Sequence, residues 1–122
     1  MLYKVYLMIN GLFWNIRGIA KPPNLRRLKR LIRLHDFKFV AICEPKMDVS
    51  QIDSIKIRLP FDSVVVNSST DIWVFYNTPL VCAVLGNSSQ HITISVQHPW
   101  LARSLCFSFV HAKCTLEERR TM

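Results

Sequence analysis

The chain reads as apolar runs separated by short polar breaks. Residues 2–16 are apolar, β-branched or aromatic at most positions and predict one or two strand pieces, broken near Asn10-Gly11. Arg17-Gly18 and Lys21-Pro22-Pro23 mark a loop. Asn24 then stands as an N-cap, and residues 25–36 predict a helix. At about 100° per residue, Leu25, Leu28, Leu31 and Ile32 share a stripe about 120° wide, and Arg26, Arg27, Lys29, Arg30 and Arg33 take the other side. Leu34 is the apolar residue off that stripe. Phe39-Val40-Ala41-Ile42-Cys43 is a continuous apolar run, the pattern of a buried parallel strand, and it stops at Glu44-Pro45-Lys46. A second helix is expected from Ser50, with Asp53 completing a capping-box-like pair, and Pro60 limits it at Leu59.

The second half predicts strands at 63–67, 72–77, 80–85, 91–97 and 104–111, separated by turn residues at hairpin spacing. Near the end, Thr115 is placed to cap a further helix that Glu117 and Glu118 would open, but the sequence stops at Met122, less than two turns on. Strand–helix–strand–helix followed by hairpins predicts an α/β fold: a mixed, largely antiparallel sheet with two helices on one face.

Composition narrows the function classes. With 122 residues, the chain is one domain or part of one. Half of it is hydrophobic, a fifth is charged, and it has 3 Gly, which excludes disordered and collagen-like classes. Sixteen Lys and Arg against eight Asp and Glu give +8, favouring an acidic partner such as nucleic acid or an anionic membrane. Cys43, Cys82, Cys106 and Cys114 contain no C-x-x-C pair, and the first three lie in apolar strand-like runs. Buried free thiols and a reducing compartment, nucleus or cytoplasm and not secreted, are the expectation. No run of 18 apolar residues predicts a membrane span. Asn10 and Gly11 interrupt the apolar start, which does not read as a signal peptide.

Two residues stand out chemically. Glu44 follows a buried strand directly, where α/β folds place catalytic acids and metal ligands. Asn15 offers an amide inside Trp14-Asn15-Ile16-Arg17-Gly18. Taken singly, the first also reads as a solvated loop charge and the second as a turn residue. Together, W-N-I-R-G, the basic amphipathic helix and V-A-I-C-E-P-K resemble the opening of the endonuclease/exonuclease/phosphatase superfamily, with the endonuclease domains of plant LINE-type retrotransposons the nearest look-alikes. Asp71-Ile72-Trp73-Val74-Phe75-Tyr76 is similar to that family's G-x-I-W-V strand. Phe109-Val110-His111-Ala112 is similar to its V-Y-A strand end, and Glu118-Arg119-Arg120 to the start of the following helix.

The resemblance implies a two-sheet α/β sandwich that hydrolyses phosphodiesters with Mg²⁺. This sequence, residues 1–122, would supply about its N-terminal half. Glu44 matches the metal-binding glutamate, and Asn15 the asparagine near metal and scissile phosphate. His111 stands where the family has a phosphate-contacting tyrosine. The family's G-D-x-N and S-D-H strings do not occur here, so the implied Mg²⁺ site is incomplete and a chain inactive alone is expected.

The remaining features have ordinary readings beside functional ones. His35 reads as a packing or helix-end residue, and His91 and His98 as surface residues. The cations Arg26, Arg27, Lys29, Arg30 and Arg33 read either as a solvated helix face or as a DNA phosphate-binding face without sequence preference. The alternative to a broken nuclease is therefore a non-catalytic basic nucleic-acid-binding module or a structural remnant. A single sheet with helices on one side would leave its other face apolar and open, predicting self-association through it.

Overall fold

A computed structural model describes residues 10–111 of the chain. Its elements are β1 (Gly11–Asn15), α1 (Pro22–His35), β2 (Phe39–Cys43), a single 3-10 turn (Val49–Gln51), α2 (Ile52–Arg58), β3 (Ser63–Val66), β4 (Ile72–Tyr76), β5 (Val81–Asn87), β6 (His91–Gln97) and β7 (Leu105–Val110). The expected helix after Thr115, Cys114 and the Glu118-Arg119-Arg120 match lie outside the described residues. So does most of the apolar start. Among the described residues, no helix is long and apolar enough to cross a membrane.

The architecture is α/β, with two helices on one face of a mixed sheet. That sheet has the order β1-β2-β4-β3. β1 and β2 are parallel, and β4 runs antiparallel to both β2 and β3. Leu25 and Leu28 of α1 and Ile55 and Leu59 from the second helical segment pack on Val40, Ile42, Trp73 and Phe75.

One expectation is overturned here. The strands do not form a single sheet with an open apolar face. β5, β6 and β7 form a separate antiparallel sheet, and it covers the face that was expected to be exposed. Phe39, Ala41, Cys43, Ile72 and Val74 pack there against Cys82, Ile92, Ile94, Val96 and Phe109. The open apolar face on which self-association was expected to rest is therefore covered within the chain itself. The reason is periodicity. Ile92, Ile94 and Val96 alternate with His91, Thr93, Ser95 and Gln97, the pattern of a strand with one face on a core. Phe39-Val40-Ala41-Ile42-Cys43 is buried at every position, because its two faces meet different layers.

Local boundaries moved for identifiable reasons. α1 begins at Pro22, since proline is well placed in a first helical turn. Asn24 therefore lies inside the helix and is not its cap. α1 ends where Asp36 turns left-handed at φ 49°. The second helix begins at Ile52 and not at Ser50, behind a 3-10 turn that Asp48 caps: its side chain accepts from the Ser50 N–H at 2.8 Å. That bond holds the Asp48 carboxyl below its ordinary value. Gly11 is needed because a Cβ there would run into the Phe39 ring across the parallel pair.

Phe75 is fully buried, whereas Ile57 is 73% exposed. Phe75→Ala should cost about 3–5 kcal/mol of unfolding free energy, and Ile57→Ala should stay within about 0.5 kcal/mol of the parent. Urea titration followed by Trp fluorescence checks both.

Candidate functional site at one end of the sandwich

The parallel pairing of β1 and β2 brings two strand ends together. Asn15 lies opposite Cys43 in the register. Beyond it the two chains stay joined through backbone bonds. The Ile16 N–H donates to the Cys43 carbonyl at 3.1 Å, Gly18 to Glu44 at 2.9 Å and Ile19 to Pro45 at 2.9 Å. Asn24 reaches back from α1, its amide nitrogen donating to the carbonyls of Ile16 at 3.0 Å and Gly18 at 2.9 Å. This is what Asn24 does in place of capping: it ties the helix to the loop that carries Arg17.

Side-chain direction follows from alternation. Leu12 and Trp14 pack on the helix side, which sends Phe13 and Asn15 toward the second sheet. The Phe13 and Phe109 rings meet edge-on at 5.1 Å. Glu44 would by the same rule join Ile42 on the helix side. Its left-handed φ of 53° breaks the extended run, and its Oε1 lies 2.8 Å from Nε2 of His111. His111 continues the inward row of Phe107 and Phe109 just past β7. A carboxylate only accepts, so Nε2 carries the proton and donates. His111 is 7% exposed, and its Nδ1 is buried without a hydrogen-bond partner. Among the described residues, the ring's polar contact is with Glu44.

Asn15, Glu44 and His111, named from sequence, thus share one end of the molecule. His111 is not available there in the way the tyrosine-like position implied: it is buried against Glu44 and does not face outward. Asp71 and Arg17, which sequence reasoning did not single out, belong to the same neighbourhood. The Glu44 N–H donates to the Asp71 carbonyl at 3.0 Å. The Cys43 thiol is pushed up to about 11, chiefly by burial, then by the negative charges of Glu44 and Asp71, with Arg17 opposing them. Arg17, Glu44, Lys46 and Thr70 all adopt positive φ, and each non-glycine residue held so costs on the order of 1–3 kcal/mol. Backbone strain is concentrated at this end.

Among the described residues, no group of three or more His, Cys, Asp or Glu side chains assembles as a metal site. The donors here do not fit a closed structural zinc site. They fit Mg²⁺ in its usual protein setting, with one carboxylate from Glu44, the Asn15 amide on the neighbouring strand and water or phosphate completing the shell.

The basic helix face is divided. Arg26, Arg27, Arg30 and Arg33 are exposed. Lys29 is half-buried, and the Arg27 guanidinium lies 5.6 Å from the centre of the Trp14 ring, a cation–π contact that fixes it to the sheet. His35 is exposed and sits 5.3 Å from Phe37 rather than in the core. Trp100 is 60% exposed in the loop after β6, at the end of the sheet opposite His111. No protein-family model matches the chain, and no curated protein matches it.

Cys43, Cys82 and Cys106 are free. Cys106 is exposed, contrary to the expectation of a buried strand cysteine. Burial pushes the Cys82 thiol up to about 12. Both raised thiols stay protonated in the folded state at pH values where an unfolded thiol, near about 8.5, has ionised. The native state then holds protons that the unfolded state releases, so stability is full below that value and falls as pH rises toward 11 and 12. Urea midpoints between pH 8 and pH 10.5 should decline in the parent and decline less in a Cys43→Ala, Cys82→Ala double variant.

Proposed function

We propose that this chain is an endonuclease/exonuclease/phosphatase-like domain whose site end binds a divalent cation and a nucleic-acid phosphate, and which does not turn over substrate by itself. The observation that supports this best is the placement of Asn15 and Glu44 at adjacent parallel strand ends, with Glu44 fixed by His111. Mg²⁺, when bound at Glu44, supplies positive charge to a phosphate oxygen and lowers the pKa of bound water.

The chain's own residues have distinct parts. Glu44 supplies the carboxylate. Asn15, exposed on the neighbouring strand, supplies an amide donor toward a phosphate oxygen. His111 orients Glu44 and, being buried, does not touch substrate. Further acid and base groups, each worth about 10²–10⁴-fold in rate, have no counterpart among these residues, which is why turnover is not assigned to this chain.

A second reading, DNA binding without chemistry, is favoured by the exposed row Arg26, Arg30 and Arg33. Residues at i, i+4 and i+7 share a helix face. The row spans about 10 Å, the axial length of about three phosphates of one DNA strand.

Supercoiled plasmid incubated with the purified chain and Mg²⁺ should remain un-nicked. Nicking that disappears in Glu44→Gln would overturn the assignment of no turnover. DNA binding should be salt-dependent, and Glu substitutions at Arg26, Arg30 and Arg33 together should lower the log K against log salt slope by up to about 3. An unchanged slope would leave these cations as a solvated face.

A further inference from the structure

Glu44 is held by more than His111. Its backbone N–H donates to the carbonyl of Asp71. The next residue, Ile72, donates its N–H to Oδ1 of Asn67 at 2.9 Å. Asn67 lies between β3 and β4, is 2% exposed, and uses its Nδ2 to donate 3.0 Å across to the carbonyl of Ser88, in the β5–β6 turn of the other sheet. Two residues on, the carbonyl of Gln90 accepts from the backbone N–H of His111 at 2.7 Å. His111 then donates back to Glu44. The bonds close a ring that leaves Glu44 through its own backbone, crosses between the sheets once at Asn67, and returns to its carboxylate.

We propose that Asn67 is a positioning residue for Glu44, acting through Ser88 and His111. This rests on the cation-binding reading of Glu44. The physical argument is one of degrees of freedom. Glu44 belongs to the first sheet and His111 to the second, so their 2.8 Å contact is set by how the two sheets are placed at this end. Apolar packing between them is non-directional and fixes that placement loosely. Directional bonds between the two turns fix it: Ser68 N–H to Asn87 Oδ1, Ser69 Oγ to the Ser89 carbonyl, and the Asn67 amide, the buried member of the set, whose oxygen serves the turn that holds Asp71 and whose nitrogen serves the turn that holds Gln90. A buried amide with three hydrogen bonds, to Ser69 Oγ, the Ser88 carbonyl and the Ile72 N–H, is costly to disturb, since any of them left unmade leaves a desolvated polar group.

Asn67→Asp isolates the link. An aspartate still accepts from Ile72 and can accept from the Ser69 hydroxyl in place of donating to it, but cannot donate to Ser88. It also adds a negative charge, which by itself would strengthen cation binding, so a loss cannot come from charge. The experiment measures Mn²⁺ alone, standing in for Mg²⁺, by the EPR signal of the free ion, together with the ¹⁵N shifts of the His111 ring. In Asn67→Asp, Mn²⁺ affinity should fall about tenfold, the lower end of the range for groups behind a metal ligand. The His111 ring should lose the signature of a single Nε2–H form. Ile94→Val, a core change of ordinary cost away from the ring, should leave both unchanged. Asn87→Ala removes the neighbouring exposed bond from Ser68 between the same turns and should act in the same direction but more weakly. It serves as the test if Asn67→Asp does not fold.

Unchanged affinity and unchanged His111 shifts in Asn67→Asp would overturn the proposal, as would equal losses in Ile94→Val. A parent chain that binds no Mn²⁺, or a Glu44→Gln variant that binds it equally well, would sink the cation reading. The His111 shifts would still decide the role of Asn67.

Discussion

β2 and β4 are buried on both faces, and the remaining layers are arranged by that constraint. Val40, Ile42, Trp73 and Phe75 turn to one side, and Phe39, Ala41, Cys43, Ile72 and Val74 to the other. Two adjacent strands with no polar face need a cover on each side. The helices provide one and the β5–β7 sheet the other. At about 25 cal/mol per Å² of apolar surface, uncovering either side would forfeit more than the small net stability of a domain this size. The site inherits its position from this arrangement, because β2 ends at Cys43 and the next residue is the first that can reach the edge of both layers.

Much of this was legible in the chain. Phe39–Cys43 and His91–Gln97 were bounded correctly from composition and alternation alone, and the apolar stripe of α1 was read from its spacing. What could not be read was the partition of strands between sheets. A period of two says that Ile92, Ile94 and Val96 share a face, but it does not say which surface that face meets. Similarly, the capping role given to Asn24 relied on its residue type, while its real partners, the carbonyls of Ile16 and Gly18, depend on tertiary placement. Asn15 and Glu44 were visible because each follows an apolar run directly. The contact between Glu44 and His111 spans 67 positions and leaves no local trace. Asn67, before Ser68-Ser69-Thr70-Asp71, looks like any residue entering a turn.

His111 shows how a structural neighbour changes a chemical role. At the position resembling a phosphate-contacting tyrosine, a donor that faces solvent would be needed. The imidazole is instead drawn inward by the alternation of β7, and among the described residues its polar contact is a carboxylate on another layer. A buried imidazole bonded through one nitrogen can hold a partner in place, and it cannot simultaneously reach an external phosphate. The pair therefore fixes the Glu44 carboxylate and keeps the imidazole turned inward.

Charge distribution then separates attraction from binding. The chain carries +8, and its exposed helix cations lie on the outer layer. A polyanion is therefore attracted to the molecule as a whole, over roughly the 8–10 Å at which salt leaves fields unscreened. The strand-end site is locally different. Glu44 and Asp71 both act on Cys43 as negative charges, with Arg17 opposing them. Arg17 and Lys46 are exposed at this end, while Glu44 and Asp71 are half-buried, so charges of both signs stand close together there. Within the proposed reading, a divalent ion at Glu44 tips that balance toward positive charge. In that proposal the basic helix would draw a nucleic-acid strand toward the protein, and the ion would decide whether a phosphate can settle between Asn15 and Glu44.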